Sequence, residues 1–222
     1  MRFRVLPAAL ALMAAVPCVV RAQAQFQGTV VIRMMQENGS AQVLKYSVRD
    51  GVARYDMNGN NAESAVMILD QAAGKMLFLI PTQHMYMEQP MDVSGTPKGA
   101  APAKHGSVKA TGRKETIAGY ECEHMIVQDD ASKPVDVCVT HALGNFMSRP
   151  SRRGSMGGGG VPGEEWSSQL GPNAFPLRVT ESNRVMFEVV SVKRERLDAA
   201  LFAPPAGWQR MDMSGMGHPQ RP

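Results

Sequence analysis

The sequence predicts a mainly β protein of the α+β class, built around one antiparallel sheet. Residues 43–49 and 53–57 alternate between apolar and polar side chains, the period of a strand with one covered face and one solvated face. Asn38-Gly39 and Asp50-Gly51 are residue pairs that favour tight hairpin turns. Helical segments are few and short. These observations predict a single domain over residues 25–210, with eight to ten strands and a few short helices.

The strands are expected to follow one another as a meander. They are predicted at 29–35, 43–49, 53–57, 65–69, 76–80, 84–88, 122–128, 135–140, 175–181 and 184–194. Short helices are predicted at 140–148, 164–171 and 197–202. The strands at 29–35, 65–69 and 76–80 are apolar on both faces. Their second face therefore needs a cover, which a helix, the other half of the sheet or a ligand would provide.

Two internal segments and the C-terminus lack the pattern of regular structure. Residues 89–107 are rich in Pro, Gly, Ala and Lys, and residues 149–163 contain four consecutive glycines. Such compositions favour flexible loops because glycine loses the most backbone freedom on ordering. Residues 211–222 form a Met-rich segment with no apolar period, and a disordered tail is predicted there.

The first 24 residues have the layout of a secretory signal peptide. Arg2 and Arg4 form a basic start, an apolar run covers 5–20, and Ala22-Gln23-Ala24 is a small-x-small cleavage site. The run is too short for a comfortable membrane span. We therefore expect cleavage after Ala24 and a periplasmic protein of about 198 residues that is not integral to the membrane.

The charge of the chain indicates little affinity for nucleic acid. Without the three arginines of the first 24 residues, 21 basic residues face 20 acidic ones. A balanced chain creates no field that would attract a polyanion. The aromatic residues are few and do not interleave with basic ones, as binding of single strands would require.

Cys122 and Cys138 are the two cysteines that remain after cleavage. In an oxidising compartment such a pair is first interpreted as a disulfide, which would join two neighbouring strands. The alternative is a zinc site, because His124 lies two residues after Cys122 and His141 three residues after Cys138.

The sequence carries no recognisable catalytic set. It has no G-x-S-x-G or H-E-x-x-H motif, and its glycine run does not follow a strand as a phosphate-binding loop would. We therefore expect a protein that is not an enzyme and uses no cofactor.

The methionines allow two interpretations. Within the sheet they are expected to fill the core, because the thioether side chain is flexible and apolar. The tail has no core to fill, and thioether with imidazole suits Cu(I). A copper site in the tail is therefore an alternative, and its ligands would be Met211, Met213, Met216 and His218.

Several segments resemble an uncharacterised family of exported bacterial proteins. They are F-x-G-T-V, D-G-V-A-R-Y-D-M, M-I-L-D, M-L-F-L-I-P, T-I-A-G-Y-E-C-E, V-D-V-C-V and L-D-A-A-L-F-A-P-P-A-G-W, which together span most of 26–210. That family is grouped with the LolA/LolB lipoprotein-carrier superfamily. The resemblance implies an open, curved antiparallel half-barrel with short helices on its concave face, where acyl chains bind.

The leading hypothesis is therefore a periplasmic protein that binds a lipid or another apolar ligand without catalysis. The ligand-binding side chains expected on the concave face are Leu44, Tyr46, Val48, Tyr55, Met57, Met67 and Phe78. Two alternatives stay open: a protein that handles copper or zinc, and an envelope scaffold or sensor whose partner is another protein.

Overall fold

β-strands make up most of the structure, a computed structural model that describes residues 25–36, 38–57, 65–91, 107–128, 133–146, 170–171 and 173–211. The twelve strands in these ranges are β1 (Gly28–Met35), β2 (Ala41–Arg49), β3 (Val52–Met57), β4 (Ala65–Asp70), β5 (Lys75–Ile80), β6 (Met85–Pro90), β7 (Ser107–Ile117), β8 (Tyr120–Gln128), β9 (Val135–Thr140), β10 (Phe175–Glu181), β11 (Arg184–Arg194) and β12 (Gln209–Arg210). Two single 3-10 turns, Pro81–Gln83 and Ala199–Phe202, accompany them.

All twelve strands belong to one open, curved sheet. Its order is β12-β6-β5-β4-β3-β2-β1-β11-β10-β9-β8-β7. Every neighbouring pair is antiparallel except β12 and β6, which are parallel. Two meanders, β1–β6 and β7–β11, meet where β1 pairs with β11. The predicted curved antiparallel sheet of a mainly β protein is therefore confirmed.

Residues with positive φ make the tightest turns. Asp50 and Gly51 have φ of 50° and 78°, as the predicted hairpin between β2 and β3 requires. Ala118-Gly119 and Ser182-Asn183 also have positive φ at both positions, and they join β7 to β8 and β10 to β11. Two-residue turns of this kind match the twist of the strands they connect, so they set the register of all three hairpins.

The inner face of the sheet carries the main hydrophobic core. Alternate residues of paired strands share this face, and most of its central side chains are less than 3 % exposed. The buried members that define it are Val30, Ile32, Leu44, Tyr46, Ala53, Tyr55, Val137, Val179, Phe187 and Val189. The sheet thus encloses one continuous apolar surface that runs from β5 to β8.

The outer face of β4 and β5 carries a smaller apolar cluster of Val66, Ile68, Leu77 and Leu79. Phe202 and Trp208 pack against it. We call residues 197–211 the C-terminal strap. Arg49 Nη1 and Arg54 Nη1 donate hydrogen bonds to the carbonyls of Leu197 and Leu201 in this strap, at 2.8 and 2.7 Å. The cover predicted for the apolar strands 65–69 and 76–80 is therefore the end of the same chain.

The structure corrects the helices expected on the concave face. Residues 141–146 form a turn and irregular backbone, and the segment 197–202 forms only the 3-10 turn Ala199–Phe202. That turn belongs to the strap on the outer face. Residues 147–148 and 164–169 lie outside the described ranges, as do most of the predicted loops and the leader.

The sequence pattern does not predict two of the strands, β7 and β12. β7 is exposed along most of its length, so its sequence lacks the alternation of apolar and polar residues that identifies a half-buried strand. β12 has only two residues and exists because the strap aligns beside β6, where Gln209 N donates to His84 O and Met211 N donates to Tyr86 O. The described ranges therefore contain more strands than the eight to ten expected.

None of the helices in the described ranges is long and apolar enough to cross a membrane.

Candidate functional site

The seven side chains predicted to bind an apolar ligand lie on the inner face. The register pairs Leu44 with Met57, Tyr46 with Tyr55, and Tyr55 with Met67, while Phe78 pairs with Met67. Val48 follows Tyr46 by two residues on the same face. Five of the seven are buried, and Met57 and Phe78 are half-buried. The structure thus brings the whole set together on strands β2–β5; their part in binding stays a prediction.

Phe146 stands at the centre of this face although it lies outside any strand. Its ring centroid is 5.4 Å from that of Tyr46, 5.2 Å from that of Phe175 and 5.9 Å from that of Phe187. The distances and tilted or edge-on angles are typical of favourable aromatic pairs. Phe146 N donates to Ala174 O at 3.4 Å. The segment after β9 therefore folds back over the inner face and closes its middle.

Methionines occupy the margins of the same core. The half-buried side chains that pack against it include Met34, Met57, Met91 and Met125, together with Phe78. An unbranched thioether adapts to neighbours of different shape at little energetic cost. Aromatic rings therefore gather at the buried centre of the face, whereas half-buried, deformable methionine side chains lie at its margins.

A second cluster lies on the outer face of the other half of the sheet. His124 is buried between two carboxylates. Its Nδ1 lies 2.7 Å from Asp136 Oδ1, and its Nε2 lies 3.2 Å from Glu115 Oε2. A ring nitrogen that carries a proton donates it to the carboxylate that it faces. Neighbouring strands β7, β8 and β9 supply one member each, so the sheet register positions the group.

Arginines complete this cluster. Arg178 Nη1 donates to Glu115 Oε1, and Arg113 Nη2 donates to Asp136 Oδ2. Each carboxylate therefore presents one oxygen to an arginine and the other to His124. Arg178 Nη2 also donates to Glu188 Oε1 at 2.7 Å. The polar side chains of β7 to β11 thus form one connected ionic network on the outer face of the sheet.

The surroundings of Glu115 change its acidity. Burial alone would raise the pKa of this carboxyl group, but the hydrogen bond and positive charge of Arg178, with the contact to His124, outweigh it. The pKa therefore lies below the ordinary value of 4.5. Glu115 is ionised at neutral pH and is held as an anion beside His124.

The predicted disulfide is confirmed and borders this cluster. Cys122 and Cys138 are bonded, with their Cα atoms 5.3 Å apart. His124 pairs directly with Cys138 across β8 and β9. The zinc set of Cys122, His124, Cys138 and His141 is corrected in one member: His141 is exposed and contacts Asn173 O, whereas Glu115 lies beside His124. The sulfur atoms, being oxidised, are not thiolate ligands in this form.

Glu115 was missed by the sequence analysis, although the sequence contains a signal for it. If Ala118-Gly119 is a two-residue turn, Ile117 pairs with Tyr120 and Glu115 with Cys122, as observed. Of the copper set predicted in the tail, Met211 is described and its backbone belongs to the strap. Met213, Met216 and His218 lie outside the described residues.

Comparison with known proteins shows a match to a family model and a distant likeness to solved structures. Two structures of PNGF-II, in space groups C2 and P21, share 14 % identity with this chain at TM-scores of 0.47 and 0.42. They cover 85 % and 82 % of this chain, which spans 31 % of the length of each PNGF-II chain. No curated protein matches the sequence.

The family model spans eleven of the twelve described strands, β1 to β11. It matches residues 26–208, from Phe26, two residues before β1, to the strap residue Trp208. The chain therefore belongs to the domain family of unknown function DUF4412.

Proposed function

We propose that this protein is an exported, non-enzymatic binding protein that holds an apolar ligand, such as the acyl chain of a lipid, against the inner face of its curved sheet. The leader-like sequence of residues 1–24 places it in the periplasm in this proposal. Its role there would be to carry or store a lipid or lipoprotein acyl group.

The observation that carries this proposal is the apolar continuity of the inner face. Seven side chains from four adjacent strands form one surface, and polar atoms are scarce on it. A site of this kind binds through buried area, at about 25 cal/mol per Å², and imposes little directional chemistry. The sequence resemblance to lipoprotein carriers, which receive acyl chains on the same kind of face, supports the same ligand class.

The margins of the face are where a ligand would first make contact. Met57 and Phe78 are half-buried, while Tyr46 is only 1 % exposed. Deformable methionines accept chains of variable shape. In this proposal the acyl chain lies along Met57 and Phe78 and reaches the ring of Phe146, which forms the opposite wall.

Native mass spectrometry of the protein purified from the periplasm tests the proposal. We expect a co-purifying lipid at about one per chain, identified after organic extraction. A protein that carries no lipid, and that fails to bind added fatty acid or phospholipid in the same measurement, would contradict the proposal.

Substitutions at the margin localise the ligand. Met57→Gln and Phe78→Gln should each weaken binding of a fluorescent fatty acid by about tenfold, since about 1.4 kcal/mol of apolar contact is lost. Val43→Gln is the matched control, because Val43 is 46 % exposed on the opposite face of β2. Equal affinities for all three variants would place the ligand elsewhere. Polar substitution of Tyr46 is expected to unfold the protein, because its ring is central to the core.

A further inference from the structure

A set of metal-ligating atoms is assembled on the outer face, next to the disulfide. One oxygen of Glu115, one ring nitrogen of His124 and the sulfur of Cys138 lie within 4.8 Å of one another. Cys122 Sγ is bonded to Cys138 Sγ and therefore adjoins this group of three as a possible fourth donor. Two sulfurs, one imidazole nitrogen and one carboxylate oxygen are a combination that suits tetrahedral zinc.

We propose that reduction of the Cys122–Cys138 disulfide converts this cluster into a zinc site with Cys122, Cys138, His124 and Glu115 as ligands. In the oxidised form the two sulfurs are bonded to each other and cannot serve as thiolates. The protein would therefore bind zinc only after reduction. This site is separate from the inner face and does not depend on the function proposed for that face.

The geometry around His124 favours a metal at its Nε2. The distance from Nε2 to Glu115 Oε2 is 3.2 Å, close to the separation of about 3.3 Å that two ligands at 2.0–2.1 Å would have around a tetrahedral ion. Nδ1 faces Asp136 Oδ1 at 2.7 Å. A carboxylate behind the second ring nitrogen is the arrangement that orients the imidazole in most metal sites.

The two arginines leave the required atoms available. Arg178 holds Glu115 through Oε1, so Oε2 can turn to a metal. Arg113 holds Asp136 through Oδ2, and Arg113 Nη2 also lies 2.7 Å from His124 Nδ1. Asp136 Oδ1 stays beside that ring nitrogen, at 2.7 Å. Both carboxylates are therefore fixed in place without losing the oxygen that the site needs. This fixation lowers the entropy cost of assembling the ligands.

Access is provided through the edge of the sheet. The disulfide and His124 are buried, whereas the Glu115 side chain is 36 % exposed. Glu115 lies on β7, an edge strand that pairs only with β8 among the described strands. A metal ion can therefore reach the Glu115 carboxylate from the outer face, whereas a reductant reaches the buried sulfurs only when the edge strand β7 separates locally from β8.

A dithiol can act as the reductant of the Cys122–Cys138 disulfide. Two electrons and two protons pass from the dithiol to the disulfide, which yields two protein thiols and an oxidised dithiol. Zinc binding then releases the two thiol protons, and it also releases any proton on His124 Nε2. In the reverse sequence the disulfide form of the same reductant accepts two electrons from the two thiolates, the protein disulfide forms again, and the metal is released.

Zinc competition between the protein and a chromophoric chelator tests this proposal. We expect the reduced protein to bind about one zinc per chain and the oxidised protein to bind none under the same conditions. Bound zinc should also protect both thiols from alkylation. Failure of the reduced, folded protein to bind zinc would overturn the proposal.

Variants distinguish a zinc site that uses all four proposed ligands from zinc binding by the two cysteine thiols alone. Glu115→Gln and Asp136→Asn should weaken zinc binding by about 10–100-fold, and His124→Ala should weaken it at least as much. Glu121→Gln and His141→Ala are matched controls, because Glu121 pairs with Lys114 at the surface and His141 contacts Asn173. If Glu115→Gln, which retains both cysteines and whose folding is checked by circular dichroism, binds zinc as tightly as the wild type, the assigned ligand set is wrong.

Discussion

At the scale of single residues, His124 shows how a sheet accommodates a buried polar ring. Burying such a group without partners costs several kcal/mol. Here each ring nitrogen faces a carboxylate, and each carboxylate is held by an arginine. Four neighbouring strands, β7 to β10, contribute one or two members each, so the network also ties the strands together on their outer face.

Glu115 should give the folding stability a dependence on acid pH. Its pKa is depressed in the folded state, so its stabilising contribution is present above the unfolded pKa near 4.5 and is lost as the pH falls through the lower folded value. At pH 7 we expect Glu115→Gln to lower the free energy of unfolding of the oxidised protein by about 1 kcal/mol, since the side chain is partly solvated. Denaturant titrations at pH 7 and at pH 3 measure this difference.

The difference between wild type and Glu115→Gln should shrink as the pH falls below 4.5. Glu121→Gln should stay close to wild type at both pH values, because the ion pair of Glu121 with Lys114 is exposed on both sides. If the difference in free energy of unfolding between wild type and Glu115→Gln does not change with pH, ionisation of Glu115 does not contribute to stability.

At the scale of elements, the two edges of the sheet are protected differently. β7 is a long edge strand, but it carries Lys109, Arg113 and Lys114, and its pairing with β8 is irregular between Ala110 and Lys114. Charged side chains and bulges on an edge discourage pairing with another chain. The opposite edge, β6, is partly covered by the two residues of β12. The strap therefore both covers an apolar face and shortens an open edge.

Trp208 should be the main apolar anchor of the strap. It packs with Phe202 against the cluster of Val66, Ile68, Leu77 and Leu79, and its ring lies 5.7 Å from that of His84. Trp208→Ala should lower the free energy of unfolding by about 2–3 kcal/mol and increase the binding of a dye that reports exposed apolar surface. Chemical denaturation and dye fluorescence measure the two effects.

Leu201→Ala is the control for this prediction. The Leu201 side chain is 40 % exposed, and Arg54 bonds its backbone carbonyl. This variant should therefore stay within about 0.5 kcal/mol of wild type. Equal losses for the two variants would mean that the strap is held by its backbone rather than by Trp208.

At the scale of the whole molecule, long-range pairing dominates the architecture. The strand β1, near the start of the domain, pairs with β11, near its end. The strap then returns to strands β3–β6. The pairing of β1 with β11 joins the two meanders into one sheet. Bringing together segments so far apart in the sequence costs chain entropy, which burial in the inner core and the disulfide must offset.

The disulfide should contribute measurably to global stability. Its cysteines are 16 residues apart, and closing a loop of that size stabilises a protein by about 3 kcal/mol in the chain-entropy model. A Cys122→Ala, Cys138→Ala double variant should lose that amount in denaturant unfolding. The measurement is made with a chelator present, so that metal binding does not contribute. A loss near zero would show that β8 and β9 are already ordered relative to each other in the unfolded ensemble.

The sequence by itself determined the local features of this protein. Alternation predicts the inner-face residues from Leu44 to Met57, Asp50-Gly51 predicts the hairpin between β2 and β3, and the cysteine pair predicts the disulfide. The first two depend on periodicity or sterics within about ten residues, where the pattern is decisive, and the disulfide depends on the number of cysteines in an exported chain. β7 was not recognised because an edge strand exposed on both faces has no alternation to detect.

Only the tertiary structure decided which distant segments meet. It placed Phe146 in the middle of the inner face, the strap over β4 and β5, and Glu115 with Asp136 around His124. It also showed that His141 does not join Cys122 and Cys138. These contacts depend on the order of strands in the sheet and on burial accumulated over the whole chain. No local pattern encodes them, because many strand orders satisfy the same alternation and only the packing of the complete core selects one.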